Sequence, residues 1–371
     1  MSPRVPWYIW TSLASVTCIL IGGYWDISWH MTIGRDTFWT PAHLAIQLGG
    51  MIAGASGTYL ILSTTLRRTG VLRAASVGVW GFRGPLGAFV GVWGAATMLI
   101  SAPFDNWWHT AYGLDVKILS PPHMVLTLGI LGVSTGAVLM IVSTLNRAEA
   151  TSRRRLELAM LFVGGEVLIL GMTSILEFTF RSNLHRADAY KAISIVAPIA
   201  LFAFSRVSQH RWATTIVAGT YTMFMVAMVW LFPLFPAVAK LGPVYQPITH
   251  YIPLEFPPLV IAPAIACDLI IARTRAWPRW RLAPLLGATF LVVLVAAEWP
   301  FASFLASDGA KNWVFGAHYL PYFMHPEWYE SRGIFMSEPA LAMGLLKAAI
   351  AATFASYLGL VAGDLMRRAK R

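Results

Sequence analysis

Long apolar stretches separated by short polar ones dominate this chain. Runs of about 18 or more apolar residues recur along its whole length, each long enough to cross a hydrocarbon layer as a helix. No ten-residue alternation of apolar and polar positions appears. The spans therefore read as helices, which satisfy their backbone groups internally, rather than as barrel strands. The pattern predicts ten spans, near residues 7–25, 41–66, 85–104, 122–145, 158–179, 190–206, 213–235, 252–272, 282–304 and 339–365. The expected fold is an all-α, polytopic membrane helical bundle of about 10 transmembrane helices.

Charge sharpens the layout. Of 371 residues, 57% are hydrophobic and 12% charged, against roughly a quarter charged in ordinary soluble domains. The net charge of +11 would suggest nucleic acid in a soluble protein. Here the basic residues lie between apolar spans and report topology instead, so the expected partner is the lipid bilayer, with no nucleic acid. One set of span ends holds 19 of the 28 Lys and Arg residues, from Arg4 through Arg67, Arg68, Arg73, Arg83, Arg147 and Arg153–Arg155 to Arg367–Arg371; the opposite set holds eight. The excess predicts that both termini are cytoplasmic. Cys18 and Cys267 lie inside apolar runs and form neither a disulfide framework nor a metal motif. The first apolar run lacks an A-x-A-like cleavage site and reads as a membrane helix rather than a signal peptide.

Eight of the nine histidines (30, 43, 109, 123, 185, 250, 318 and 325) fall on the predicted outer side, and only His210 on the inner side. Histidine is tolerated at membrane interfaces, yet this bias favours a shared purpose on that face. The outer connection near 305–338, which carries Asp308, His318, His325, Glu327 and Glu330, is expected to pack as a lid on the membrane surface. The stretch Arg147–Glu157 reads as a solvated inner loop.

One pattern occurs twice. Asp26-Ile-Ser-Trp-His30 is followed by Thr40-Pro-Ala-His43, and Asp105-Asn-Trp-Trp-His109 by Ser120-Pro-Pro-His123. Side chains four apart on a helix share a face, and proline is favoured in a helix's first turn. Each copy is therefore expected to bring a carboxylate and two imidazoles together at the outer junction of consecutive spans. Two histidines and a carboxylate suit a divalent transition metal with open positions, iron(II), copper or zinc. The plainer reading is an Asp–His hydrogen bond stapling each helix end, with Trp25, Trp29, Trp39, Trp107 and Trp108 as an interfacial aromatic belt. The duplicated spacing favours the metal.

The first copy, Asp26-Ile-Ser-Trp-His30-Met-Thr-Ile-Gly-Arg35-Asp36-Thr37-Phe-Trp-Thr40-Pro41-Ala-His43, resembles a segment of the C subunit of the particulate methane and ammonia monooxygenases. Those acid and histidine positions bind copper in that family. The resemblance implies that Asp26, His30 and His43 are copper ligands and the catalytic set, with iron or zinc as lesser alternatives. It also implies a second set at Asp105, His109 and His123, where Asp105 stands in place of the family's Asn and adds charge. The similarity covers about residues 7–145, which predicts a four-helix membrane core at 1–145 and a six-helix extension at 146–371. Further implications are the bacterial inner membrane with the sites toward the periplasm, A-like and B-like partner subunits, and O2 with a small apolar substrate or ammonia.

The expected function is thus that of a copper-dependent membrane monooxygenase subunit. Two alternatives stand beside it, a stand-alone metalloprotein oxidising a lipid-like substrate and a copper-handling or transport protein. Transport is disfavoured because transporters place ligands near the midplane on interrupted helices. Among other polar residues, Glu177 and Arg181 are expected to pair across one helical turn, with His185 and Asp188 nearby as a third ligand or proton-relay set. His250 and Glu255 read as helix-capping residues, Glu298 as facing the outer cavity, and Glu166 and Asp268 as pointing to polar partners within the bundle.

Overall fold

A computed structural model describes residues 5–34, 37, 39–67, 69–113 and 120–370. Arg35, Asp36 and Phe38 of the first motif lie outside the described residues, as do Arg4, Arg68, Lys117 and Arg371 among the basic positions.

The described residues form α1 (Trp7–Thr32), α2 (Pro41–Leu66), the single turn α3 (Val71–Ala74), a hairpin of β1 (Val77–Val79) and β2 (Phe82–Gly84), α4 (Leu86–Tyr112), α5 (Pro121–Arg147) and α6 (Ala150–Thr173). They continue as α7 (Ala187–Val207), α8 (Ala213–Leu231), α9 (Ile261–Thr274), α10 (Arg279–Leu305), the single turn α11 (Tyr329–Arg332) and α12 (Leu341–Arg368). Regular structure among the described residues is helical apart from the hairpin. Among them eight helices are long and apolar enough to cross a membrane: α2, α4, α5, α6, α7, α8 with its following turn, α10 and α12.

Three boundaries differ from the apolar pattern for physical reasons. The helix expected over 85–104 runs on to Tyr112. Pro103 removes one backbone donor but does not end the helix, and such interruptions are tolerated in membrane helices. The polar stretch before residue 158 joins α6 from Ala150 onward, because Arg, Leu, Glu and Ala are strong helix formers. The span expected over 252–272 is helical only from Ile261. Pro253, Pro257 and Pro258 withhold donors and push the residues before them toward extended geometry.

The chain divides into two compact units. The first comprises residues 1–23, 37–163 and 366–371. Its densest packing joins α4 and α5, where glycines let two backbones approach closely, as small residues do between membrane helices. A Cβ on Gly136 would lie 2.6 Å from the Gly91 nitrogen, and one on Gly87 2.5 Å from the Gly136 oxygen. The first part of α1 packs on α2, with the buried Ser15 hydroxyl donating to the Gly49 carbonyl at 2.7 Å. The hairpin turns at Trp80 and Gly81, both at positive φ (49° and 83°), as a two-residue turn between right-handed strands requires. Thr65 tethers it, donating to the Arg83 oxygen and accepting from the Arg83 nitrogen.

The second unit comprises residues 24–36 and 164–365. Its α7 is the most enclosed of the eight candidate spans, 72% buried, and packs against α8 and α10. Asp268 of α9, buried, covers the start of α8. Its carboxylate accepts from the Thr214 nitrogen at 3.1 Å and from the Thr215 nitrogen and hydroxyl at 2.8 Å each. The expected polar partner of Asp268 is thus the N-terminal end of a neighbouring helix, whose first N–H groups lack partners within the helix.

Candidate metal centre

The second copy of the motif lies within the first unit. Ser120 precedes α5, Pro121 and Pro122 open it, and His123 occupies its third position. The fixed φ of proline suits the first turn, where its missing N–H costs nothing. Asp105 and His109 sit on the last two turns of α4, one turn apart. Asp105 Oδ2 is 3.3 Å from His109 Nε2, and Asp105 Oδ1 is 3.9 Å from His123 Nε2. One carboxylate thus faces an imidazole from each of two helices. The residues joining them, 114–119, lie outside the described set.

The other nitrogen of His109 also has a partner, since Nδ1 is 3.3 Å from the Gly113 carbonyl oxygen. Each ring nitrogen thus faces an oxygen acceptor, Nδ1 the carbonyl and Nε2 the Asp105 carboxylate, and the two contacts fix the orientation of the ring. Gly113, at φ 88°, closes α4 and donates its own N–H to the His109 carbonyl at 3.0 Å. That left-handed conformation favours glycine. The side chains of Asp105, His109 and His123 are 16, 27 and 31% exposed, so the group is recessed but reachable. Phe104, Trp107, Trp108 and Tyr112 cluster on the same turns, with Trp108 and Tyr112 rings 4.5 Å apart.

Two imidazoles and a carboxylate are suitable donors for a divalent transition ion. Asp105 Oδ1 is buried and has no hydrogen-bond partner, and a cation would offset the cost of its desolvation. Among the described residues, no group of three or more His, Cys, Asp or Glu side chains is placed so that it could hold a metal ion.

The first copy is divided between the units, and its parts are described separately. In the second unit Asp26 and His30 lie on the last turns of α1, with Asp26 Oδ2 3.9 Å from His30 Nε2. Ser28, between them, and Thr32, just beyond, hold this helix end. Ser28 donates to the Ile252 carbonyl at 2.6 Å, and Thr32 accepts from the Ile252 nitrogen at 2.8 Å. In the first unit His43 is the third residue of α2, and the Thr40 hydroxyl accepts from its backbone nitrogen at 3.4 Å. The Thr-Pro pair works as a helix start in the expected manner.

No protein-family model, curated protein or solved structure matches this chain.

The other polar candidates of the second unit form a structural network. Glu177 and Arg181 fall on separate 3-10 turns after α6, so the expected one-turn pairing has no helix to carry it. Arg181, buried, instead meets Glu255, which is 3.3 Å from its Nε and accepts from its backbone nitrogen at 2.6 Å. Arg181 also donates to the Ala317 carbonyl at 2.5 Å, while Ser182 bonds the Glu330 carboxylate. These contacts tie the connection between α10 and α12 to Arg181 and Ser182, and through Arg181 to Glu255. Glu255 therefore serves as a partly buried counter-ion rather than a helix cap. His185 is stacked between Trp299 and Phe335, with centroids 4.3 and 3.6 Å away, and its Nε2 donates to the Trp299 carbonyl at 3.0 Å. Asp188 pairs with Lys191 and Arg186. Glu298 is wholly buried and accepts from the Leu259 nitrogen at 2.7 Å, just ahead of α9.

Proposed function

We propose that this protein is a copper-binding membrane protein related to the C subunits of the methane and ammonia monooxygenases, acting in oxidation of a small apolar substrate or ammonia. The observation that carries the reading is the Asp105 carboxylate, with one buried unpartnered oxygen, facing imidazoles from α4 and α5. Asp26, His30 and His43 enter the proposal on the motif alone.

Copper bound there would supply a redox-active centre with open positions for dioxygen. The residues provide the rest. The Gly113 carbonyl, against Nδ1, helps to orient His109 with Nε2 toward Asp105. The extra charge of Asp105, relative to an asparagine, favours a divalent ion. The aromatic group at Phe104, Trp107, Trp108 and Tyr112 gives an apolar approach for substrate and restricts water.

The same reading extends to topology. α1 and α9 would complete ten crossings with both termini cytoplasmic, supported by the 19 basic residues gathered at one set of helix ends. The metal sets would then face the periplasm of a bacterial inner membrane. A-like and B-like partners belong to the proposal through the family resemblance.

The placement of Asp105 in the last turns of α4 and of His123 in the first turn of α5 supports an oxidative site over transport, which favours midplane ligands. The test is oxygen uptake by copper-loaded protein in bilayers, supplied with a reductant and a short alkane or ammonia. Substrate-dependent uptake that disappears in His109→Ala supports the proposal. Bound copper without such uptake in either protein rejects oxidation in favour of copper handling.

A further inference from the structure

In the second unit, α10 and α12 leave between them a cleft of about 570 Å³, inside the roughly 300–1,000 Å³ typical of small-molecule sites. Trp280, Ala283 and Pro284 of the first turns of α10 line one side, and Ile350, Phe354 and Tyr357 of α12 the other. Both helices qualify as membrane spans, and Trp280, Ile350 and Phe354 are exposed. The surroundings of such a cleft are lipid.

One end of the cleft is basic. Arg206 Nε lies 2.8 Å from Asp364 Oδ1, and Arg279 Nη1 lies 3.5 Å from Asp364 Oδ2. The Arg279 guanidinium also stands 5.9 Å from the centre of the Tyr357 ring, and Arg281 lies over Trp280 at 4.6 Å. Two arginines thus share the Asp364 carboxylate, and a third lies over Trp280 of the apolar groove. Its complement is an amphiphile with an aliphatic tail and an anionic head.

We propose that this cleft binds an anionic phospholipid of the surrounding bilayer, with an acyl chain between α10 and α12 and the phosphate against Arg279. A zwitterionic lipid would supply the tail but no net charge for the arginines. A second copy of the chain would bring an apolar helix without the anion. The inference is independent of any metal chemistry at Asp105.

The test uses the full chain in vesicles containing brominated phosphatidylglycerol or brominated phosphatidylcholine, whose bromines quench nearby tryptophan. The difference between wild type and Trp280→Phe isolates the Trp280 signal. The expected result is an association with phosphatidylglycerol about fivefold stronger than with phosphatidylcholine, the scale of one basic residue at an anionic surface. Arg279→Gln is expected to bring that ratio to about one, and Ala349→Phe, which fills the cleft, to remove quenching by both lipids. Equal quenching by the two lipids in wild type would overturn the proposal. So would quenching by neither, the result of a covering second copy, or a preference that survives in Arg279→Gln. Should Arg279→Gln fail to fold, the wild-type comparison and Ala349→Phe decide.

Discussion

His109 Nδ1 lies 3.3 Å from the carbonyl oxygen of Gly113, and this contact turns His109 Nε2 toward Asp105. The glycine that ends α4 is therefore also the residue that orients a candidate ligand. Replacing Gly113, at φ 88°, by alanine should strain the helix end by about 1 kcal/mol. It should also weaken copper binding by about tenfold, the lower end of the effect seen when a ligand's supporting hydrogen bond is disturbed. Chelator competition on the purified variant measures both the direction and the size.

The ion pair of buried Arg181 with the quarter-exposed Glu255 predicts an asymmetry. Arg181→Leu leaves the Glu255 carboxylate without its counter-ion and should cost about 1–3 kcal/mol, less than a fully buried pair, whereas removing both charges in Arg181→Leu/Glu255→Leu should recover most of that loss. Denaturant unfolding of the single and double variants checks this. Additive losses would mean that the pair is not the clamp described here.

His318 gives the connection between α10 and α12 a pH dependence. Partial burial holds its imidazole below the usual histidine range, and the nearby His250 and Arg181 act in the same direction. Because the folded protein favours the neutral ring, this contribution is present above the ordinary value near 6.5 and is lost as pH falls through the lowered native value. Glu255 also contacts Arg181 and remains in place in the comparison. Hydrogen exchange of residues 306–338 should accelerate on acidification in wild type, and His318→Asn should flatten that response.

The α4–α5 contact predicts sensitivity to added bulk. Gly136→Leu drives a side chain into the α4 backbone at Gly91 and Gly87. It should destabilise the first unit by at least the ~1–3 kcal/mol of ordinary overpacking. The same substitution at Gly70, where an added Cβ meets no atom within 4 Å, should cost only backbone strain. Thermal unfolding in one detergent ranks the two.

Much of the helical architecture was legible in the apolar runs, because a membrane span must satisfy its own backbone and so declares its length. Residues 41–66 emerge as α2 with those same bounds. The pairing of Asp105 with His109 was legible too, as a one-turn spacing. What the sequence hid depends on distant partners. Arg181 suggested Glu177 by proximity, but the chain leaves the helix before either residue and Glu255, 74 positions away, takes the role. Ser28 and Thr32 carried no signal beyond their polarity, yet they hold Ile252 against the end of α1. The short β1–β2 hairpin escaped notice because Trp80 is an uncommon residue at positive φ. The prolines at 253, 257 and 258 delay the helix expected from 252 until Ile261, a break that the hydropathy pattern hid.

The most direct measurement is metal content. Protein purified after copper-replete expression should hold copper, with Cu(II) resonance showing coupling to histidine nitrogen, and Asp105→Ala, His109→Ala and His123→Ala should each lower the bound amount. Wild-type protein without transition metal, or copper content unchanged in all three variants, would contradict the account.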